Sequence, residues 1–248
     1  MVRFLTLILI SFLLPAGVWA DDGKAVITRM IGKLRAQANV AEYEMTVQRP
    51  AWTRSIRLKA WDDRRHERFF VRIVEPAKDA GTSFLRIKYN LWNYLPKVEK
   101  VMKIPPSMML QPWMGSDFSN DDLVKESSYI DDYDHQIVGT EMRDGEKILK
   151  IELVPHPQAP VVWGKVIWSV RAKDDLPVQQ HFLDERGRLI KELTFYEFKI
   201  MDGVMHPTLW EMKNVLKEGQ QTTIRLHSVD FDPVPPIPDS VFTEQNLK

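Results

Sequence analysis

The chain has no cysteine among its 248 residues. That excludes disulfide staples and thiolate metal sites, so stability has to come from a buried apolar core. It also excludes an acyl anchor on a cysteine, because Asp21 stands where such a residue would follow a processed N-terminus. Charge of one sign is missing as well. The 34 Lys and Arg balance 34 Asp and Glu, which argues against a nucleic-acid partner, since that contact rewards clustered cations. Beyond residue 20 no stretch reaches about 18 consecutive apolar residues, the length that reads as a membrane-spanning helix. Walker, Rossmann and GxSxG patterns are absent, and the six histidines show no HxH or HxxxH pairing. Neither catalytic nor metal-binding residues are therefore assigned, and no cofactor is expected.

What is present begins with residues 1–20, MVRFLTLILISFLLPAGVWA. Arg3 supplies the positive start, Phe4 to Leu14 the apolar run, and Pro15 and Gly17 break it. Val18 and Ala20 place small residues where a signal peptidase inspects the chain. A run of about eleven residues is too short for a hydrocarbon core of about 30 Å. The expectation is cleavage after Ala20 and export to the periplasm, with residues 21–248 as a single domain. Removing Arg3 with the signal leaves 33 basic residues against 34 acidic ones, still close to neutral.

Apolar spacing then reports local structure. Ile27, Met30, Ile31, Leu34 and Ala38 recur at three- and four-residue intervals, which predicts an amphipathic helix over residues 22–39. From residue 41 the period falls to two: Ala41, Tyr43, Met45 and Val47, then Ile56, Leu58 and Ala60, then Phe69, Val71 and Ile73, then Leu85, Ile87 and Tyr89. One apolar and one charged face per run is the pattern of a half-covered antiparallel sheet. Residues 104–128 break it and read as a helical or irregular insert, with Ser119 or Asn120 capping a short helix. Strands resume over 136–141, 147–154, 161–172, 178–184, 188–200, 205–213 and 221–231. Asp144-Gly145 and Asp202-Gly203 mark hairpins. Ten or eleven strands at this spacing predict a curled, nearly closed antiparallel sheet, and the proline-rich tail from Asp232 is expected to cross it.

Two clusters carry chemistry or binding potential. Asp131-Asp132-Tyr133-Asp134-His135 invites a hard-cation or hydrolytic reading. Consecutive acids on a strand point to opposite faces, however, and no glycine-centred calcium loop follows, which favours a solvated connection. The second is a surplus of soft and aromatic side chains between Trp92 and Met114, of the kind that repacks cheaply at apolar binding surfaces and in cores alike.

The exported helix, the curling strands, the stretch LRIKYNLWNYLPKVEKVMKIPP, the insert MMLQPWMGSDFSNDDL and the ending PDSVFTEQNL occur together. This combination resembles the LolA-like outer-membrane lipoprotein-sorting proteins, in particular their longer, uncharacterised branch, over roughly residues 24–248. Trp92 to Pro96 and Gly115 to Leu123 are its most specific parts. The resemblance implies a mainly β fold with some α: an incomplete β-barrel covered by an N-terminal helix and a central helical insert. It further implies a monomeric, non-enzymatic carrier that takes acyl chains of lipoproteins or phospholipids toward the outer membrane, between an inner-membrane exporter and an outer-membrane acceptor. Its alternatives are an envelope-sensing module without transfer activity and a periplasmic hydrolase. On this reading Met45, Val47, Ile56, Leu58, Phe69, Val71 and Ile73 line the concave sheet face. Trp92, Tyr94, Met108, Met109, Leu110, Trp113 and Met114 line the mouth and lid. The lipoprotein carrier that it resembles has a lid-closing arginine on an early strand before a proline; Trp61 to His66 offers candidates here but no unambiguous counterpart, so the role is not transferred.

Overall fold

The computed structural model describes residues 22–125, 129–159 and 161–248; the expected export signal lies outside them. Helix α1 (Gly23–Arg35) opens on Asp22, whose carboxylate accepts the Lys24 N–H at 3.1 Å. Val26, Ile27, Met30 and Ile31 form its buried stripe. The helix stops earlier than the spacing predicts. Ala36 adopts φ 51°, ends the ladder, and releases Ala38 into the first strand. Lys33 and Arg35 sit in the last turn, where the helix dipole favours cations.

Thirteen strands follow: β1 (Ala38–Arg49), β2 (Trp52–Asp63), β3 (Arg68–Glu75), β4 (Ser83–Ile87), β5 (Asn90–Leu95), β6 (Lys100–Lys103), β7 (Tyr133–Arg143), β8 (Glu146–Pro155), β9 (Lys165–Arg171), β10 (Pro177–Leu183), β11 (Leu189–Met201), β12 (Val204–Asn214) and β13 (Gln221–Phe231). All lie in one antiparallel sheet of order β6-β5-β4-β3-β2-β1-β13-β12-β11-β10-β9-β8-β7. Its edges, β6 and β7, follow one another in sequence, so the connection 104–132 is the link between the two edges of a curled sheet that does not close. Within that link, 3-10 turns precede α2 (Asn120–Lys125). Ser119 caps α2 reciprocally: its Oγ accepts the Asp122 N–H at 3.2 Å, and the Asp122 carboxylate accepts the Ser119 N–H at 2.7 Å.

Register explains which side chains share a face. In β1 and β2, Ala41 pairs with Ala60, Tyr43 with Leu58 and Met45 with Ile56, so the period-two pattern stacks apolar residues across the hairpin. The hairpins at Asp144-Gly145 and Asp202-Gly203 form as the sequence predicts, all four residues at positive φ. The sheet has thirteen strands against the ten or eleven expected; β5 and β6 are the unforeseen ones, in the region read as lid from its aromatic and methionine content. Those residues face both ways because both faces of the sheet are covered there. One face joins Met45, Ile56, Val71, Phe84 and Leu91 beneath Trp113 and Val124. The other carries Phe70, Leu85, Trp92 and Tyr94 beneath Phe242 and Leu247 of the C-terminal tail. Arg68 holds the tail through Asp239 at 2.7 Å and lies 4.5 Å from the Phe242 ring centre. Arg72 and Ser83 donate to the carbonyls of Asn246 and Leu247.

His206 fastens β12 to the end of α1. Its ring is buried, with Nδ1 2.7 Å from the Pro207 carbonyl oxygen and Nε2 3.1 Å from that of Leu34. A neutral imidazole has one N–H, so it satisfies one of these carbonyls at a time. Burial lowers its pKa and outweighs the two carbonyls, which favour the cation. The unfolded chain therefore takes up this proton first as pH falls. The contribution to stability is complete above about pH 6.5 and declines as pH drops through the lowered folded value. Denaturant unfolding between pH 7 and 5 should show a weaker loss of stability in His206→Gln than in the native chain. Equal slopes would refute the assignment.

Candidate functional site

The curled face, α1 and the edge-to-edge link line a part-open cavity of about 180 Å³. Leu58, Phe69 and Val71 form one wall, and Phe195, Trp210 and Met212 the facing one. Met30 and Leu34 of α1 and Trp113, Phe118 and Leu123 of the link complete it. Aromatic contacts stiffen the second wall. Trp168 stacks on Phe195 at 5.9 Å, and Tyr129 meets Trp168 edge-on at 5.8 Å. On the first side Trp113 packs edge-on against Phe84 at 5.4 Å.

Three ionised side chains penetrate this apolar surface. Arg35, from the last turn of α1, donates two 2.7 Å bonds to the two carboxylate oxygens of Asp62. Arg86 of β4 approaches the same carboxylate to 3.7 Å, and the amide of Asn39 donates to the Arg35 carbonyl. All four residues are buried. Strand alternation puts them there: Asp62 shares a face with Leu58 and Ala60, and Arg86 shares one with Phe84. The bidentate pair fixes the end of α1 against β2.

Polar side chains of several strands hold the link, Arg54 of β2 among them, donating to the Met114 carbonyl at 3.4 Å. Arg49, at the end of β1 directly before Pro50, contacts Asp117 at 2.9 Å and the Gly115 carbonyl at 2.7 Å. Thr222 of β13 completes this latch: its hydroxyl accepts the Asp117 N–H at 2.9 Å and donates to the Asp117 carboxylate at 2.7 Å. On the far side Lys191 of β11 meets Asp122 of α2 at 3.2 Å. Arg49 lies outside Trp61 to His66, the stretch that offered candidates for a lid-closing arginine.

The fourteen residues assigned to binding from sequence fall into separate places. Leu58, Phe69, Val71 and Trp113 line the cavity. Met45, Val47, Ile56 and Ile73 are buried in the adjoining cluster, with Met109 and Met114 packed on it. Met108 and Leu110 are exposed on the link. Trp92 and Tyr94 lie on the opposite sheet face under the tail, because Trp92 pairs directly with outward-facing Leu85. Sequence reasoning missed the α1 residues and the whole wall from β9 to β12. Those strands alternate as clearly as the first four, and the amphipathic stripe of α1 had to cover something. In the acidic stretch, Tyr133 points into the core while the Asp134 side chain is 84% exposed and meets His156 at 3.3 Å. Among the described residues no group of three His, Asp or Glu is arranged to hold a metal ion, and no helix is long and apolar enough to cross a membrane.

An open antiparallel sheet curled around an apolar cavity, with an N-terminal helix inside and a linking segment across the opening, is the LolA-like fold. A DUF1329 family protein from Desulfovibrio piger superposes with a TM-score of 0.82 at 24% identity, over 91% of this chain and 98% of that one. A domain described as an outer membrane lipoprotein-sorting protein, from Vibrio parahaemolyticus, gives 0.78 at 21%, over 91% and 97%. A LolA superfamily protein from Nitrosomonas europaea gives 0.76 at 21%, over 91% and 99%. The chain belongs to a family whose model, described as an uncharacterized protein, matches residues 65–248. Among curated proteins nothing matches.

Proposed function

We propose that this protein is a non-enzymatic periplasmic carrier: a single domain, residues 21–248, that takes acyl chains of lipoproteins or phospholipids into the cavity and carries them toward the outer membrane. The observation behind this reading is the largely apolar cavity beneath a segment that spans the open side of the sheet and is tied to it by a few polar side chains. The lipoprotein-sorting description of the Vibrio domain and the export-type N-terminus agree with it.

The energetics require such a device. A chain of about 16 carbons loses roughly 12 kcal/mol on exposure to water, at about 0.8 per methylene. Unaided passage through an aqueous compartment is therefore slow. A cavity of about 180 Å³ is close to the engineered apolar cavities of about 150 Å³ that take up benzene. It accepts the tip of a chain as it stands, and the full chain only when the link moves aside. That movement gives up the packing of Trp113, Phe118 and Leu123, which offsets part of the gain. Binding is then weak enough to be reversed at an acceptor.

Native mass spectrometry of protein purified from the periplasm, followed by lipid extraction, tests this reading. A bound acyl lipid is expected, released when the protein meets acceptor membranes. Absence of lipid, together with no uptake of a fluorescent fatty-acyl probe, would overturn it.

A further inference from the structure

Three buried N–H donors border the cavity without an acceptor among the described residues: Nε1 of Trp113, Nε1 of Trp168 and Nε2 of Gln180. These residues are only 2–4% exposed, so the donors have little access to bulk water. Buried donors are nearly always satisfied, and each exception carries a free-energy cost that calls for an explanation. Their placement is systematic. Trp168 of β9 and Gln180 of β10 are direct cross-strand partners, so two donors stand side by side on the face that looks into the cavity. The Trp168 ring is clamped between Phe195 and Tyr129, so its N–H is held where it is rather than turned toward a protein acceptor. The third donor comes from the link, whose Trp113 packs on Phe84 at the other side of the same cavity.

We propose that these donors form a polar reading site for carbonyl oxygen, and that the preferred ligands are acyl esters or amides rather than plain hydrocarbon or alkyl-ether chains. The inference rests on the cavity's being an acyl-chain site and adds the chemical class of the linkage. An ester carbonyl offers a strong acceptor and brings no donor of its own. It is also the group that joins an acyl chain to a glycerol backbone. Seating it between Trp168 and Gln180 places the chain along the apolar wall of Leu58, Phe69 and Val71. Trp113 then contributes its N–H only when the link closes, which couples closure to recognition of a correctly seated carbonyl.

Calorimetric titration of the full chain with dioctanoylglycerol and with its dioctyl ether counterpart tests this. The two differ in the carbonyl oxygens and share chain length and backbone. The ester is expected to bind at least about tenfold tighter, the range a buried hydrogen bond supplies. Gln180→Leu and Trp168→Phe should each lose most of that preference, read as the ratio of ester to ether affinity on the same variant. Because both ligands are measured on the same variant, loss of packing weakens both and leaves their ratio interpretable. Equal binding by the native chain would overturn the proposal; it is the result expected if water alone serves these donors. Retention of the full preference in both variants would overturn it too. Binding of neither ligand would instead remove the carrier reading on which the proposal rests.

Discussion

Replacing Asp62 with alanine is expected to lower the unfolding free energy by about 3–5 kcal/mol, the range for breaking a buried ion pair from one side. The side chains of Arg35 and Asp62 are 9% and 5% exposed, so solvent compensates little for the lost carboxylate. Its removal takes away two short charge-assisted bonds and leaves two guanidinium groups converging on an apolar wall. An exposed pair would cost at most about 1 kcal/mol, so the two cases are well separated. Urea unfolding monitored by tryptophan fluorescence supplies the number. A loss below about 1 kcal/mol would show that the pair contributes no more than a surface bridge. Arg35→Met and Arg86→Met combined with Asp62→Leu should recover much of the loss, since apolar replacements of similar volume at all three positions remove the need for charge compensation. Recovery would also show that the pair contributes position more than stability, by setting the angle at which α1 closes the cavity.

Replacing Arg49 with alanine acts on the other end of the site and should leave global stability less affected. Its guanidinium joins Gly115, Asp117 and the Gln221 carbonyl, at 3.3 Å for the last, so one side chain ties the link to β13. Losing these bonds, and the charge compensation of Asp117, should cost about 3 kcal/mol locally. At 1.4 kcal/mol per tenfold, that raises the open population about 100-fold. The readout is hydrogen exchange at Trp113 and Ser116, whose amides bond to the carbonyls of Phe118 and Trp113 at 2.8 and 2.9 Å. Their protection should fall about 100-fold, while amides in β1 and β2 remain protected. Arg49→Lys should restore only part of it, because an ammonium group cannot present the same planar fork to Asp117 and Gly115 together. Unchanged protection would show that the link does not depend on this latch. On the carrier reading, Arg49→Ala should also exchange acyl probe faster in both directions.

Much of the architecture was legible before any coordinates because the relevant signals are local. The alternation in β1 and β2, the positive-φ hairpins at Asp144-Gly145 and Asp202-Gly203, the capping residue before α2 and the amphipathic stripe of α1 each depend on neighbours a few residues away. The gap at β5 has a definite cause. Period-two reasoning assumes one wet face, and at β4 and β5 neither face is wet. Leu85 and Trp92 meet the tail, while Arg86 and Asn93 are buried on the opposite side. With both faces buried, a strand no longer alternates between apolar and charged, and an aromatic run reads as insert.

The sequence by itself determined that stability rests on an apolar core without disulfides, that the chain folds mainly as antiparallel hairpins, and that an irregular segment interrupts them. Only the tertiary structure decided that this segment joins the two edges of one curled sheet, that Trp92 and Tyr94 look away from the cavity, and that Arg35, Asp62 and Arg86 converge within it. The reason is physical. A side chain's face follows from its strand's register with its partners, and a one-residue slip would reverse it. Register is set by pairings between residues far apart in sequence, such as β1 with β13, and no local pattern encodes those.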